Sequence, residues 1–256
     1  DLDNVIPFGV DTDISPYDSG SYASATTYIT GKAVAKAAEN LKEKVIKMGA
    51  SMLEVEPDEV TFNGKCVEKK DQSAKVTLPE IGVRGTFGNN DALQVTENCG
   101  AEISPPPYMV GIAEVEIDKE TGSVELIDYV AVVDCGTPIN PNLARVQTEG
   151  GIAQGIGMAL FEDIQYTEKG AMANNSLMQY KIPSRLDVGK IRVEFKPSYE
   201  KSHPFGAKSI GEIVIDTPCP AIANAVYNAV GLRVEEMPIK PEKIAMALSD
   251  DCKMYE

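Results

Sequence analysis

The sequence has few of the residues from which metal centres and disulfide frameworks are usually built. It contains five cysteines, none of them in a C-x-x-C pair, and a single histidine, His203. An odd number of scattered cysteines argues against a disulfide scaffold, a zinc ribbon or an iron–sulfur cluster. One histidine excludes a three-histidine zinc site. We therefore predict no metal ligands in the chain itself.

Basic residues are scarce relative to acidic ones. The 24 Lys and Arg residues against 39 Asp and Glu residues give a formal charge of −15, which would repel a phosphate backbone. No run approaches the roughly 20 apolar residues that cross a bilayer, and no secretory signal pattern opens the chain. We therefore expect a soluble, cytoplasmic protein with neither a nucleic-acid nor a membrane partner.

Local patterns in the first hundred residues predict one long helix and a short strand region. Residues 1–30 are rich in Asp, Ser, Thr and Tyr, which predicts an ordered loop. After Gly31, apolar residues recur every three or four positions, which predicts an amphipathic helix. Residues 59–67 predict strand structure with an Asn63-Gly64 turn, whereas residues 80–106 predict an irregular segment.

The remainder of the chain predicts a hairpin and further helices. Alternation in "AEVEIDKETGSVEL", residues 113–126, predicts a β-hairpin with one solvated face. Asn140-Pro141 predicts a helix start, and four glycines within residues 150–157 indicate close approach of another element or a ligand. Residues 217–231 and 241–250 predict two more helices. This mixture predicts an α+β fold with mixed layers of helices and β-hairpins.

The stretch "GAKSIGE" contains the most informative carboxylate, Glu212. The stretch is close to a phosphate-binding loop, but Glu212 stands where that loop needs lysine. Glu212 precedes an apolar run and a predicted helix start, where desolvation and backbone dipoles act in opposite directions on ionisation. Those surroundings are typical of a general base, and a helix cap is the structural alternative. Lys208 is either a surface charge or an anion-binding group, and His203 is more typical of a loop residue than of a base.

Four stretches together resemble one family. They are "DTDISPYDSGSYASATTYITGKAV", "AEVEIDKETGSVELIDYVAVVDCGTPINPNLARVQTEGGIAQGIGMALFED", "QYKIPS" and "GAKSIGEIVIDTPCPAIANAVYNAVGLRV". Their order and spacing are similar to the C-terminal part of the molybdenum-binding subunit of molybdenum hydroxylases, the xanthine dehydrogenase and aldehyde oxidase family. The resemblance implies that residues 1–256 form its C-terminal molybdopterin-binding region, with two subdomains that divide near 105–136.

The resemblance also implies roles for individual residues. Glu212 matches the active-site base of the family's "K-x-x-G-E" stretch. The implied cofactor-binding residues are Ser24, Thr26, Thr27, Gln154, Gly150, Gly151 and Gly155, with Gln147 as a weaker candidate. The glycines would let backbone N–H groups approach a pterin in its cytosine dinucleotide form. A structural alternative is that Thr26 and Thr27 cap the helix predicted near Gly31.

The resemblance implies hydroxylation of an N-heteroaromatic substrate with water-derived oxygen. Many members of the family carry arginine at the position of Ala25, whereas animal xanthine oxidase-like enzymes carry alanine there, as this chain does. The alanine favours xanthine or hypoxanthine as the substrate. Nicotinate dehydrogenase, aldehyde oxidoreductase, a 4-hydroxybenzoyl-CoA reductase component and a non-catalytic scaffold chain are the alternatives. An N-terminal molybdenum-domain chain, an iron–sulfur subunit and an FAD subunit are the implied partners. The sequence, which begins at Asp1 without methionine, would then be a split subunit or a fragment, active only with those chains.

Overall fold

The computed structural model divides the chain into two compact units. It describes residues 2–9, 11–88, 92–100 and 102–249. Unit 1 comprises Asp1–Tyr22 and Ile29–Glu102, and unit 2 comprises Ala23–Tyr28 and Ile103–Glu256. The first three residues of the long helix α1, Thr26–Met52, are therefore grouped with unit 2.

Unit 1 combines most of α1 with a small antiparallel sheet. Its other elements are β1 (Val60–Phe62), β2 (Cys66–Lys69), β3 (Lys75–Thr77) and α2 (Leu78–Phe87), and the strand order is β1-β2-β3. The side chain of Asn63 accepts hydrogen bonds from the backbone of Lys65 and Cys66, and Gly64 has a φ of +87°. These contacts confirm the predicted turn.

The predicted start of the first helix is wrong by one turn. Helix α1 begins at Thr26 rather than near Gly31. Its first turn buries Tyr28, which is 2% exposed, within unit 2, so this turn does not continue the apolar stripe that follows Gly31. Because Thr26 and Thr27 are themselves helical, they do not cap a helix at Gly31.

The irregular segment predicted for residues 80–106 is wrong where α2 forms. The Glu80 carboxylate accepts hydrogen bonds from both the backbone N–H and the hydroxyl of Thr77, each at 2.7 Å. This pairing is the capping box that a Thr-x-x-Glu sequence favours at a helix start. Residues 92–100 have no regular secondary structure, as predicted, and residues 89–91 and 101 lie outside the described residues.

Unit 2 packs helices on a mixed three-stranded sheet. Its elements are β4 (Tyr108–Ile117), β5 (Val124–Asp134), α3 (Pro141–Leu160), β6 (Lys190–Phe195), α4 (Ile213–Asp216), α5 (Pro218–Val230) and α6 (Pro241–Leu248). Strand β5 is central, antiparallel to β4 and parallel to β6. Helices α3 and α5 pack against each other, α5 against β4 and α3 against β6. The two units confirm the α+β class.

Most helix and hairpin predictions for unit 2 are confirmed. The Asn140 side chain caps α3 by accepting from the backbone of Asn142 and Leu143, each at 3.1 Å, and Gly231 ends α5 with a φ of +74°. Thr217 precedes α5, but its hydroxyl bonds to the buried Tyr129 phenol at 2.8 Å instead of capping the helix. In the described ranges, no helix is both long and apolar enough to cross a membrane.

Candidate functional site

The loop that carries Glu212 is fixed along the end of β5. Ala207 forms an antiparallel bridge with Gly136, and the backbone N–H of Lys208 donates to the Cys135 carbonyl at 2.8 Å. Gly136 has a φ of +68°, and a Cβ there would collide with the backbone of this loop, so a glycine is required for the close approach. The backbone of the loop is therefore attached to the end of the sheet.

A buried ion pair adds a second anchor to this loop. The Lys208 Nζ lies 2.8 Å from Asp134 Oδ2 and also donates to the Pro106 carbonyl at 3.2 Å. Burial raises the pKa of Asp134, but hydrogen bonds from Lys208, Gly136 and Ser198 outweigh it and lower that pKa below its ordinary value. Because the Lys208 side chain is 6% exposed and its ammonium is already paired, it is neither a surface charge nor an open anion-binding group.

Glu212 occupies the position before α4 but does not cap that helix. Its side chain makes no hydrogen bond to the α4 backbone, and its Oε2 accepts instead from the Ser24 hydroxyl at 3.1 Å. Among the described residues, Oε1 has no hydrogen-bond partner, and the side chain as a whole is exposed. The helix-cap alternative is thereby excluded, and one carboxylate oxygen is available to a reacting group.

Two predicted cofactor-binding groups lie next to Glu212. A Cβ added to Gly211 would stand 2.7 Å from Ser24 Oγ and 3.9 Å from Gln147 Nε2, so all three residues are neighbours. Gln147 had been only the weaker candidate. Gln154 lies on the same exposed side of α3 but seven residues further on, about 10 Å along the helix axis. Thr26 and Thr27, also exposed, lie two and three residues after Ser24 along the chain.

The three predicted cofactor-binding glycines differ in their surroundings. Gly151 and Gly155 are buried: a Cβ on Gly151 would overlap the Val214 side chain, and one on Gly155 would lie 2.7 Å from Pro218 Cγ. These two glycines allow α3 to pack closely on α4 and α5. Gly150 is exposed, with no atom within 4 Å of its Cβ position. The cofactor contacts proposed for all three glycines stay predictions.

The adjacent glycines give a direct test of this difference. Gly150→Ala should raise the free energy of unfolding by about 0.5–1 kcal/mol, because alanine favours a helix and the space is open. Gly151→Ala should lower it by about 1–3 kcal/mol, because the new methyl group collides with Val214. Urea unfolding followed by circular dichroism measures both values. Similar values for the two variants would contradict the assigned packing role of Gly151.

Sequence reasoning missed a stacked pair beside the site. His203 is 7% exposed, and its ring stacks on Tyr28 with centroids 4.3 Å apart and an interplanar angle of 19°. Asp134, the partner of Lys208, was also missed, although a polar residue ending the apolar strand β5 was a usable signal. No local pattern pairs His203 with Tyr28, because the contact joins distant parts of the sequence.

Comparison with known proteins identifies the family to which this chain belongs. Residues 1–189 match the family model described as a molybdopterin cofactor-binding domain. The probable hypoxanthine oxidase XdhD of Escherichia coli is 37% identical over 242 residues, which are 93% of this chain and 25% of that protein. The 6-hydroxypseudooxynicotine dehydrogenase complex subunit gamma of Paenarthrobacter nicotinovorans is 32% identical over 244 residues, which are 91% of this chain and 31% of that subunit.

Solved structures agree with these sequence matches. The Cu,Mo-CO dehydrogenase structure superposes with a TM-score of 0.76 at 25% identity, covering 96% of this chain and 32% of that one. Quinoline 2-oxidoreductase from Pseudomonas putida gives a TM-score of 0.75 at 29% identity, with coverages of 93% and 32%. The chain belongs to the molybdopterin cofactor-binding domain family of molybdenum hydroxylase subunits. It spans between a quarter and a third of the length of these relatives.

Proposed function

We propose that this chain supplies the catalytic carboxylate and part of the cofactor site of a molybdenum hydroxylase acting on an N-heteroaromatic substrate. Hypoxanthine or xanthine is the first choice of substrate. The observation that carries the proposal is Glu212, which is exposed, does not cap a helix and is held by Ser24 among neutral polar groups. The relative named as a probable hypoxanthine oxidase supports a purine, and Ala25 agrees with it. Nicotinate is the second choice, supported by relatives named for nicotine and for 6-hydroxypseudooxynicotine.

The residues present fit a pterin that carries phosphate. Exposed hydroxyls of Thr26 and Thr27 and the amides of Gln147 and Gln154 can donate hydrogen bonds to pterin and phosphate oxygens. Gly150 lies on the α3 face between these two glutamines, and its open Cβ position leaves room for a ligand against the helix. An exposed glycine inside a helix is unfavourable without such a reason. We assign the cytosine dinucleotide form as part of this proposal.

Glu212 moves the proton in the proposed reaction. When bound, molybdenum supplies the two-electron oxidation of the substrate carbon. Glu212 Oε1, which has no partner in the described chain, takes the proton from the water-derived nucleophile. The Ser24 hydroxyl donates to Oε2 throughout, which orients the carboxylate and stabilises its charge before the proton arrives.

The proposed activity requires other chains. This chain spans 25–32% of its relatives' length, so an N-terminal molybdenum-domain chain would supply the rest of the cofactor and substrate site. Iron–sulfur and FAD subunits would carry the electrons away, which agrees with relatives named as a complex subunit and as a large chain. We place the assembly in the cytoplasm.

The proposal is tested by purifying the chain with its native partners and measuring bound molybdenum and released pterin nucleotide. About one molybdenum per chain, together with flavin and iron–sulfur subunits, is the expected result. A chain that purifies alone and without molybdenum would contradict it and favour the scaffold alternative. Turnover of hypoxanthine, xanthine, nicotinate, aldehydes and 4-hydroxybenzoyl-CoA by the assembled enzyme then separates the remaining substrates.

Gln154→Ala is expected to lower molybdenum occupancy about three- to tenfold, because one hydrogen bond to the cofactor is lost. Metal analysis and pterin release from the purified complex measure the effect. Gln94→Ala is the matched control, since Gln94 is an exposed glutamine of unit 1 that we do not assign to the cofactor site. Equal occupancy in the two variants would remove Gln154 from the cofactor site.

A further inference from the structure

Residues 23–28, which we call the clip, are a short piece of unit 2 with unit 1 residues on both sides along the chain. Ala23 and Ser24 have φ values of 50° and 55°, a left-handed conformation that L-residues with a Cβ rarely adopt. Such a conformation persists only where surrounding contacts hold it. The clip must therefore be held in place by its neighbours in unit 2.

One contact of the clip is the stack between Tyr28 and His203. Tyr28 is 2% exposed, and the two rings lie nearly parallel with centroids 4.3 Å apart. Both ring nitrogens of His203 are buried and find no hydrogen-bond partner in the part of the chain that the structure describes. Within that part, the ring is thus oriented by packing on Tyr28 and not by a hydrogen bond.

An unpaired buried imidazole is unfavourable, so the stack has to compensate for it. Stacked aromatic rings stabilise a contact beyond the area that they bury. The side chain of His203 is therefore best explained by the surface that it offers to Tyr28.

The clip is attached at its other end to the same loop. Ser24 donates to Glu212, and between His203 and Glu212 that loop is fixed to the end of β5 through Ala207 and Lys208. Loss of the Tyr28 contact would free the clip to leave its left-handed conformation, and the Ser24 hydroxyl would leave with it. We infer that His203 is a positioning residue: its stack on Tyr28 holds the clip and so keeps the Ser24 hydroxyl on Glu212.

Only the catalytic meaning of the Ser24 to Glu212 bond rests on the proposed function. The attachment of the clip is a property of the chain without cofactor, and it can be measured without any activity. Amide hydrogen exchange of the 256-residue chain, read by mass spectrometry over peptides that contain residues 23–28, reports it directly.

His203→Ala should speed exchange in the clip about tenfold, because the stacked surface is removed. His203→Phe should exchange like the wild type, because phenylalanine keeps a flat ring on Tyr28. Its Tm should equal or exceed that of the wild type, because no ring N–H is left unpaired. Ile244→Ala is the control: it opens a cavity in the α6 contact and lowers Tm without a selective effect on the clip.

Two results would overturn the inference. His203→Phe exchanging as fast as His203→Ala would mean that the nitrogens, not the stack, hold the clip. If amide exchange in His203→Ala speeds up in the clip no more than in the rest of unit 2, the substitution has caused a general loss of stability. That pattern is the one expected for Ile244→Ala.

The assembled enzyme adds a functional readout. His203→Ala and Ser24→Ala should each lower kcat about tenfold, the double variant should lose no more than the larger single loss, and His203→Phe should restore turnover. Additive losses would contradict the positioning role. A complex that contains no molybdenum but still shows faster exchange confined to the clip in His203→Ala would contradict the proposed function. The inferred attachment of the clip would stand.

Discussion

Glu212→Gln in the assembled enzyme is expected to lower kcat by about 10²- to 10⁴-fold, the usual contribution of a general base. The amide keeps the size of the side chain and an oxygen that can accept from Ser24, but it cannot take a proton. Molybdenum content and Tm should therefore stay at wild-type values. Steady-state turnover normalised to bound molybdenum measures the effect.

Asp216→Asn is the matched control for this substitution. Asp216 is an exposed acid at the end of α4, four residues after Glu212, and it has no assigned role in the site. Its removal should change kcat by less than about twofold, since surface substitutions away from a site have small effects. Near-normal turnover of Glu212→Gln with normal metal content would remove the base assignment.

Lys208→Met is expected to lower the free energy of unfolding by about 3 kcal/mol, because it leaves the Asp134 carboxylate without its buried partner. The value is at the low end for a broken buried pair, because the Asp134 side chain keeps 20% exposure. Urea unfolding by circular dichroism measures it. Arg192→Met breaks the Arg192–Asp128 pair on the same sheet and should lower stability less, because the Arg192 side chain is 52% exposed whereas that of Lys208 is 6% exposed.

The contribution of the Lys208–Asp134 pair should also depend on pH. The pKa of Asp134 in the folded chain lies below its ordinary value of 3.8, because the hydrogen bonds from Lys208, Gly136 and Ser198 outweigh burial. Its stabilisation is therefore present above about pH 4 and is lost as the pH falls through the lower folded value. The difference between wild type and Lys208→Met should shrink as the pH falls below about 4. A constant difference would contradict the assigned charge interaction.

Features set by adjacent residues could be predicted from the sequence. The Asn140 cap, the Gly231 helix end and the Asn63-Gly64 turn each follow from short-range hydrogen bonds or from glycine at positive φ. The α2 start was also encoded locally, in Thr77 and Glu80, but it was not recognised. The first turn of α1 was not predictable, because its apolar face packs within unit 2 instead of continuing the visible stripe.

The candidate site could be predicted only in part. Glu212 was recognisable from its motif and its place before a helix, and its use as a base stays a prediction. Its bond to Ser24 spans 188 residues, and the Lys208–Asp134 pair spans 74 residues. A single sequence does not contain these tertiary contacts. Gly150, Gly151 and Gly155 share one short glycine-rich stretch, so the sequence cannot indicate that Gly151 and Gly155 serve helix packing while Gly150 faces open space.

The clip limits where a gene for such a subunit can be divided. A polypeptide that began at Ile103 would contain the whole sheet of unit 2, together with Lys208 and Glu212. It would lack the Ser24 hydroxyl and the ring that His203 stacks on. Fission of the gene at the boundary of the compact units would therefore separate the carboxylate from its hydrogen-bond donor. A minimal version of unit 2 has to carry residues 23–28 through a linker or receive them as an added peptide.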